Sequence, residues 1–110
     1  MTERFIESFT DMEEAVHRNA VEHGWWENER SDGEIVALIH SEVSEVLEAL
    51  RHGNPPDEKC RDFNSATVEL ADIIIRCMDF AGARGWALAD AIVAKHRYNK
   101  TRPYKHGKQF

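Results

Sequence analysis

The chain has 110 residues and a formal net charge of −6, from 14 basic and 20 acidic side chains. This length predicts a single domain over residues 1–110, and a content of 42% hydrophobic and 31% charged residues is typical of a globular protein. No apolar run approaches the roughly 20 residues of a membrane span, and the first residues lack the pattern of a signal peptide. The two cysteines have no metal-like spacing. We therefore expect a cytoplasmic protein without a membrane partner.

The charge is distributed unevenly along the chain. Residues 91–110 carry six basic side chains and no acidic one, so the first 90 residues, with eight basic and 20 acidic side chains, carry −12. Such an acidic body argues against nucleic acid as a partner, because affinity for a duplex comes mainly from basic contacts to phosphate. Charge alone favours an ordinary solvated surface. An acidic metal site near a basic segment would instead suit a small polyphosphate ligand.

Apolar spacing predicts four helices, over about residues 5–20, 31–52, 65–83 and 86–100. The first pattern stops near Gly24, and the second begins with the capping box Ser31-x-x-Glu34. Alternating strand patterns are weak throughout the chain. Four helices in one short chain predict an all-α, four-helix-bundle-like fold.

The predicted second helix places an acidic side chain on its apolar face. Glu42 falls inside the arc of large apolar residues, and Glu45 lies at the edge of that arc. A carboxylate on a buried face is unfavourable unless it is paired or binds a metal. Two carboxylates at i and i+3 point the same way from neighbouring turns, and such oxygen ligands suit Mg²⁺.

The predicted third helix repeats this arrangement. Its apolar residues cover most of the circumference, and its polar residues form one stripe of Glu69, Asp72, Arg76 and Asp79. A salt-bridge stripe, in which Arg76 pairs with Asp72, is the simpler interpretation. Because a second acidic pair, Glu69-x-x-Asp72, follows on the next helix, we favour one metal site shared by both pairs.

The predicted fourth helix directs part of the basic segment inward. Lys95, Asn99 and Arg102 continue the face that Leu88 and Ile92 define. Lysine and arginine commonly bind phosphate, so these residues are candidates for contact with a polyphosphate near the carboxylates. The alternative is that the long side chains cover the core with their stems while their charged ends stay in water.

Three motifs follow one another along the chain: Glu42-x-x-Glu45, Glu69-x-x-Asp72 and Lys95-x3-Asn99-x2-Arg102. In this order they resemble the MazG-like branch of the all-α nucleoside triphosphate pyrophosphatases. The resemblance extends over about residues 15–110. It implies the all-α fold of that superfamily, completed by dimerisation into a homodimer or homotetramer. The apolar third helix, which one short chain cannot easily cover, also favours such association.

The resemblance further implies an activity, the hydrolysis of a nucleoside or deoxynucleoside triphosphate to the monophosphate and pyrophosphate. The four acidic residues of the first two motifs would bind Mg²⁺, or Mn²⁺ in its place. Glu42 or Glu45 would accept the proton of the water that attacks the α-phosphorus. The lysine, asparagine and arginine of the third motif would bind the triphosphate and the leaving group.

The resemblance also indicates a site for the base. In the dCTP-type relatives a histidine nine residues before a tryptophan lines the base pocket, and His17 and Trp26 have this spacing, with Trp25 as an alternative. Two positions depart from that pattern. His52 stands in place of a second pocket tryptophan, and Arg76 stands in place of a tyrosine. The preferred base therefore cannot be transferred from these relatives.

Three other functions are alternatives to this one. A phosphoribosyl-ATP pyrophosphohydrolase belongs to the same superfamily and uses similar acidic pairs. A ferritin-like metal carrier needs two Glu-x-x-His helices, whereas only Glu14-x-x-His17 is present. A non-catalytic helical adaptor would leave the acidic residues dispensable and would bind no Mg²⁺.

Overall fold

The computed structural model describes residues 2–110, and its main elements are helices. Their bounds are α1 (Thr2–Glu22), α2 (Asp32–Arg51), α3 (Ser65–Arg84) and α4 (Leu88–Lys100), followed by a short 3₁₀ turn (Tyr104–Gly107). Over these residues the backbone forms no strand, and a single bridge pairs Pro56 with Asn64 across the α2–α3 loop. The all-α prediction is confirmed. No helix in residues 2–110 combines the length and apolar character needed to cross a membrane.

Local capping explains where α2 begins and where α3 begins and ends. The Ser31 hydroxyl accepts a hydrogen bond from the Glu34 backbone N–H at 3.1 Å, as the capping box predicts. The Asn64 side chain accepts one from the Thr67 backbone N–H at 2.8 Å and so starts α3. Gly85 ends α3 at a φ of 71°, in the left-handed region that glycine adopts most easily.

Helix α3 is the centre of the packing. Helix α2 packs along one side of it, α1 packs on another side, and α4 packs against α1. Gly82 lies where α1 crosses α3, and a Cβ atom at this position would lie only 3.3 Å from the His17 Cβ. The glycine therefore allows the two helices to approach closely beside His17.

The buried core of the chain is small. Its buried apolar residues include four alanines and only two larger side chains: Ala20, Ile35, Ala66, Met78, Ala81 and Ala89. Helices α2 and α3 instead leave large apolar side chains 51–55% exposed, and we call these residues the α2–α3 apolar face: Val43, Leu47, Leu50, Leu70 and Ile74. This exposure agrees with the sequence pattern of α3. The helix is apolar on several sides, and the other helices of the chain do not cover all of them.

Candidate functional site

Three carboxylates meet where α2 packs against α3. One oxygen from each of Glu42, Glu69 and Asp72 lies within 4.8 Å of the other two, and we call these three residues the acidic cluster. The i, i+3 spacing of Glu69 and Asp72 puts both side chains on the side of α3 that faces α2, where Glu42 comes from the opposite helix. The structure thus brings together one residue of the first acidic pair and both residues of the second.

The electrostatics of the acidic cluster favour a bound cation. Burial raises the pKa of Glu69, and the negative charges of Asp72, Glu42 and Glu45 raise it further. Burial and the charge of Glu42 also raise the pKa of Asp72, which the nearby Arg76 partly offsets. A divalent cation would remove the mutual repulsion, and carboxylate oxygens are its preferred ligands.

Glu45 lies beside the acidic cluster and outside its set of mutually close oxygens. Its side chain is exposed, but its charge contributes to the raised pKa of Glu69. Glu45 therefore adds negative charge to the surroundings of the acidic cluster without belonging to it.

Arg76 of α3 connects this helix to α2 beside the acidic cluster. Its Nε donates a hydrogen bond to Glu42 Oε1 at 2.8 Å, although the sequence spacing suggests Asp72 as the partner. The salt bridge goes to Glu42 because α2 covers this face of α3, so a carboxylate on the facing helix lies within reach. The Glu42 side chain is only 15% exposed, which agrees with its predicted place on the apolar face of α2.

A cavity of about 510 Å³ opens beside the acidic cluster. It is lined by α1, α2, α3 and the α1–α2 loop, and we call it the tryptophan cavity because Trp25 and Trp26 line one end of it. Glu42 and Asp72 line it as well, so it reaches from the carboxylates to the indole rings. The guanidinium carbons of Arg30 and Arg76 lie 5.2 and 5.7 Å from the Trp25 ring centroid, a distance that suits cation–π attraction.

Asp79 organises the aromatic end of the tryptophan cavity. Its Oδ1 accepts a hydrogen bond from Trp26 Nε1 at 2.9 Å and lies 2.8 Å from His17 Nδ1. Because a carboxylate can only accept, His17 Nδ1 must carry the proton of this bond. The His17 and Trp26 rings meet edge to face with centroids 5.8 Å apart. The structure therefore joins the two predicted base-pocket residues, but His17 supports the pocket through Asp79 and does not line the cavity.

Arg84 fixes the loop that carries the tryptophans. Its Nη2 donates to Asp32 Oδ1 at 2.7 Å and to the Arg30 carbonyl oxygen at 3.5 Å. Its guanidinium carbon also lies 5.7 Å from the Trp26 ring centroid. The end of α3 thus holds the α1–α2 loop against the tryptophan cavity.

The predicted phosphate-binding residues of the third motif lie away from the tryptophan cavity in the structure. Lys95 and Asn99 line a separate cavity of about 420 Å³ on α4, and the Arg102 guanidinium carbon lies 5.6 Å from the Tyr98 ring centroid. None of the three lines the tryptophan cavity. Within one chain the structure does not bring them to the acidic cluster, and their contact with phosphate stays a prediction. The Asn99 Oδ1 atom is buried without a hydrogen-bond partner among residues 2–110.

The sequence does not predict the part that Asp79 and the charged α2–α3 loop residues play near the site. Helical phase places Asp79 in a salt-bridge stripe, and no local spacing reveals its partners His17 and Trp26, which are 62 and 53 residues away in the chain. Asp57 and Lys59 lie in the polar α2–α3 loop, and their charges act on the pKa of Asp72. Backbone hydrogen bonds tie the loop to the end of α2 and the start of α3, and local sequence spacing does not reveal them.

Comparisons of the chain with protein families, curated proteins and solved structures find no match. The function must therefore be inferred from this geometry and from the motifs.

Proposed function

We propose that the chain is an Mg²⁺-dependent nucleotide pyrophosphohydrolase of the MazG-like type, which converts a nucleoside or deoxynucleoside triphosphate to the monophosphate and pyrophosphate. The observation that carries the proposal is the convergence of Glu42, Glu69 and Asp72 at the edge of a cavity that also holds two tryptophans. Carboxylates supply ligands for a metal that binds triphosphate, and indole rings supply surfaces on which a base can stack.

The residues of the acidic cluster suit a hard divalent cation. They offer three carboxylate oxygens within 4.8 Å of one another, and Glu45 adds a further negative charge beside them. When bound there, Mg²⁺ would neutralise charge on the triphosphate and lower the pKa of a bound water. Without such a cation, the cluster would repel an anionic substrate.

Glu45 is the better-placed proton acceptor of the two predicted candidates. Glu42 is engaged by Arg76 and belongs to the acidic cluster, whereas the exposed Glu45 carboxylate is close to Glu69 and outside the cluster. In the proposed reaction the water oxygen forms a bond to the α-phosphorus, and the bond to the bridging oxygen breaks. The pyrophosphate leaves with the electron pair, and Glu45 takes the water proton.

The proposal includes a homodimer or homotetramer. Lys95, Asn99 and Arg102 lie away from the acidic cluster of their own chain, so contact with phosphate would require residues from a second copy or a movement of α4. The exposed α2–α3 apolar face provides a surface for such a copy.

Pyrophosphate release from a full panel of NTPs and dNTPs, with phosphoribosyl-ATP added to the panel, tests this proposal. We expect release from at least one nucleotide with Mg²⁺ or Mn²⁺ and none with a chelator. Absence of release from every nucleotide would overturn the enzymatic proposal. Release from phosphoribosyl-ATP alone would instead identify the chain as a phosphoribosyl-ATP pyrophosphohydrolase.

A further inference from the structure

Three polar side chains of α3 form a line along one wall of the tryptophan cavity. Asp72, Arg76 and Asp79 all line it, and they lie on successive turns of the helix. The first and the last are seven positions apart in the helix, or about 10 Å at 1.5 Å per residue. This is about the length of a nucleoside, so a nucleotide whose phosphates lie at Asp72 can place its base beside Arg76 and Asp79.

Asp79 keeps one oxygen with capacity to accept a further hydrogen bond. Its Oδ1 accepts from both His17 and Trp26, which uses the two lone pairs of that atom. Its Oδ2 receives only the longer contact from Trp26 Nε1, at 3.1 Å. The side chain is 20% exposed, and we infer from its place in the cavity wall that Oδ2 can receive an N–H group of a ligand.

Arg76 supplies the complementary donors. Its Nε is occupied by Glu42, while its two Nη groups make no hydrogen bond with any other part of residues 2–110. The wall of the tryptophan cavity therefore presents a pair of guanidinium donors and, one turn further along α3, a carboxylate acceptor. A base that fits must present acceptors next to donors on its edge.

We propose that Arg76 and Asp79 select guanine as the base of the substrate, an inference that rests on the proposed nucleotide hydrolysis. Guanine offers O6 and N7 to an arginine fork, the commonest specific arginine contact with a base. Its N1–H and 2-amino groups donate beside O6, where Asp79 Oδ2 can accept them. Its two rings also provide a large surface for Trp25 or Trp26.

The other bases match this wall less well. Thymine and uracil present a carbonyl oxygen where the carboxylate needs a donor. Adenine presents ring-nitrogen acceptors on either side of one amine, so it offers no carbonyl oxygen to Arg76 and only one donor group to Asp79. Cytosine is the nearest competitor, because its amine and its acceptors could pair with Asp79 and Arg76, but it has a single ring and one donor group where guanine has two.

Binding of deoxynucleoside monophosphates tests the inference without requiring turnover. Because Trp25 and Trp26 line the cavity, their fluorescence is the probe, titrated with dGMP, dIMP, dAMP, dCMP and dTMP. We expect dGMP to bind most tightly. Loss of the guanine 2-amino group in dIMP should weaken binding about 10-fold, within the range for one good base contact.

The matched variant is Asp79→Asn. Asparagine keeps an oxygen that His17 and Trp26 can bind and replaces Oδ2 with an amide nitrogen. It should weaken dGMP binding about 10- to 100-fold and strengthen binding of dXMP, whose 2-oxo group accepts where guanine donates. The control is Asp11→Asn on the exposed face of α1, which should leave the order of affinities unchanged.

Three results would overturn the inference: equal binding of the four common bases, tightest binding of a base other than guanine, or an equal loss for every base in D79N. If D79N does not fold, the comparison of dGMP with dIMP on the unmodified chain still decides it. Failure of the proposed function would be seen separately, as an absence of pyrophosphate release from all triphosphates.

Discussion

At the residue scale, the acidic cluster makes the strongest prediction about activity. Glu42→Gln and Asp72→Asn each remove one negative oxygen from a set that lies within 4.8 Å, so each should lower kcat by about 100- to 1,000-fold, the loss typical of one essential electrostatic contact. Circular dichroism should show that both variants keep their helices. Glu48→Gln, at an exposed site paired with Arg51, is the control. A near-normal rate for either cluster variant would contradict the metal site.

Glu45 should behave differently from the acidic cluster. Because it lies outside the mutually close oxygens, Glu45→Gln should lower kcat by about 100-fold or more, as loss of a general base does, while Mg²⁺ still raises the Tm of the variant. Glu42→Gln should lose most of that Mg²⁺-induced shift. If Glu45→Gln also abolished the shift, Glu45 would be a metal ligand rather than a proton acceptor.

Helical phase predicts the residues of the acidic cluster better than it predicts the hydrogen-bond partners of Arg76 and Asp79. The helical rotation of 100° per residue places Glu42 on the apolar face of α2. The structure agrees, since the Glu42 side chain is only 15% exposed. The partner of Arg76 could not be read in this way, because it depends on how α2 and α3 are aligned along each other. For the same reason, no local pattern links Asp79 to His17 and Trp26.

At the scale of the elements, the contact of α2 with α3 contains a conflict between stability and function. The pKa of Glu69 is raised in the folded chain above its ordinary value of 4.5. The unfavourable effect of its charge is therefore absent below that value and develops as the pH rises through the folded pKa. Metal-free protein with Glu69→Gln should then be more stable than the unmodified chain at neutral pH, and equally stable near pH 4.

Thermal unfolding over a range of pH measures this effect. Because Glu69 is only partly buried, the Tm gain of the variant at pH 7 should be small, about 1–3 °C. Mg²⁺ should reverse the order by stabilising only the unmodified chain. Glu48→Gln again serves as the matched control. A Tm of Glu69→Gln below that of the unmodified metal-free chain at pH 7 would show that the cluster is not repulsive.

The helices were more predictable than the segments between them. The capping box at Ser31 and the glycine at position 85 mark the start of α2 and the end of α3, and the structure uses both. The fourth helix starts at Leu88 instead of near Trp86, after an Ala87 N-cap without a side-chain hydrogen bond. The α2–α3 loop could not be predicted, since its bridge between Pro56 and Asn64 is not accompanied by an alternating strand pattern in the sequence.

At the scale of the whole molecule, a single chain buries little of its apolar surface. Its radius of gyration is 16.2 Å, against about 13 Å for a compact domain of this length, and the exposed C-terminal tail contributes to the difference. The large side chains of the α2–α3 apolar face lie in two stripes on adjacent helices. Large exposed apolar surfaces of this kind commonly mark interaction sites, which supports the proposed homodimer or homotetramer.

A second copy of the chain is the expected partner for this face, and its effect can be measured. Leu47→Glu and Leu70→Glu each place a charge in the α2–α3 apolar face, where both residues are about half exposed in the single chain. A buried, unpaired charge at an interface is strongly unfavourable. Light scattering after size exclusion should therefore give a dimer or tetramer for the unmodified chain and a smaller species for both variants. The control is Val21→Glu, which adds the same charge at an equally exposed position on α1. A monomeric unmodified chain, or dissociation by the control as well, would contradict this interface.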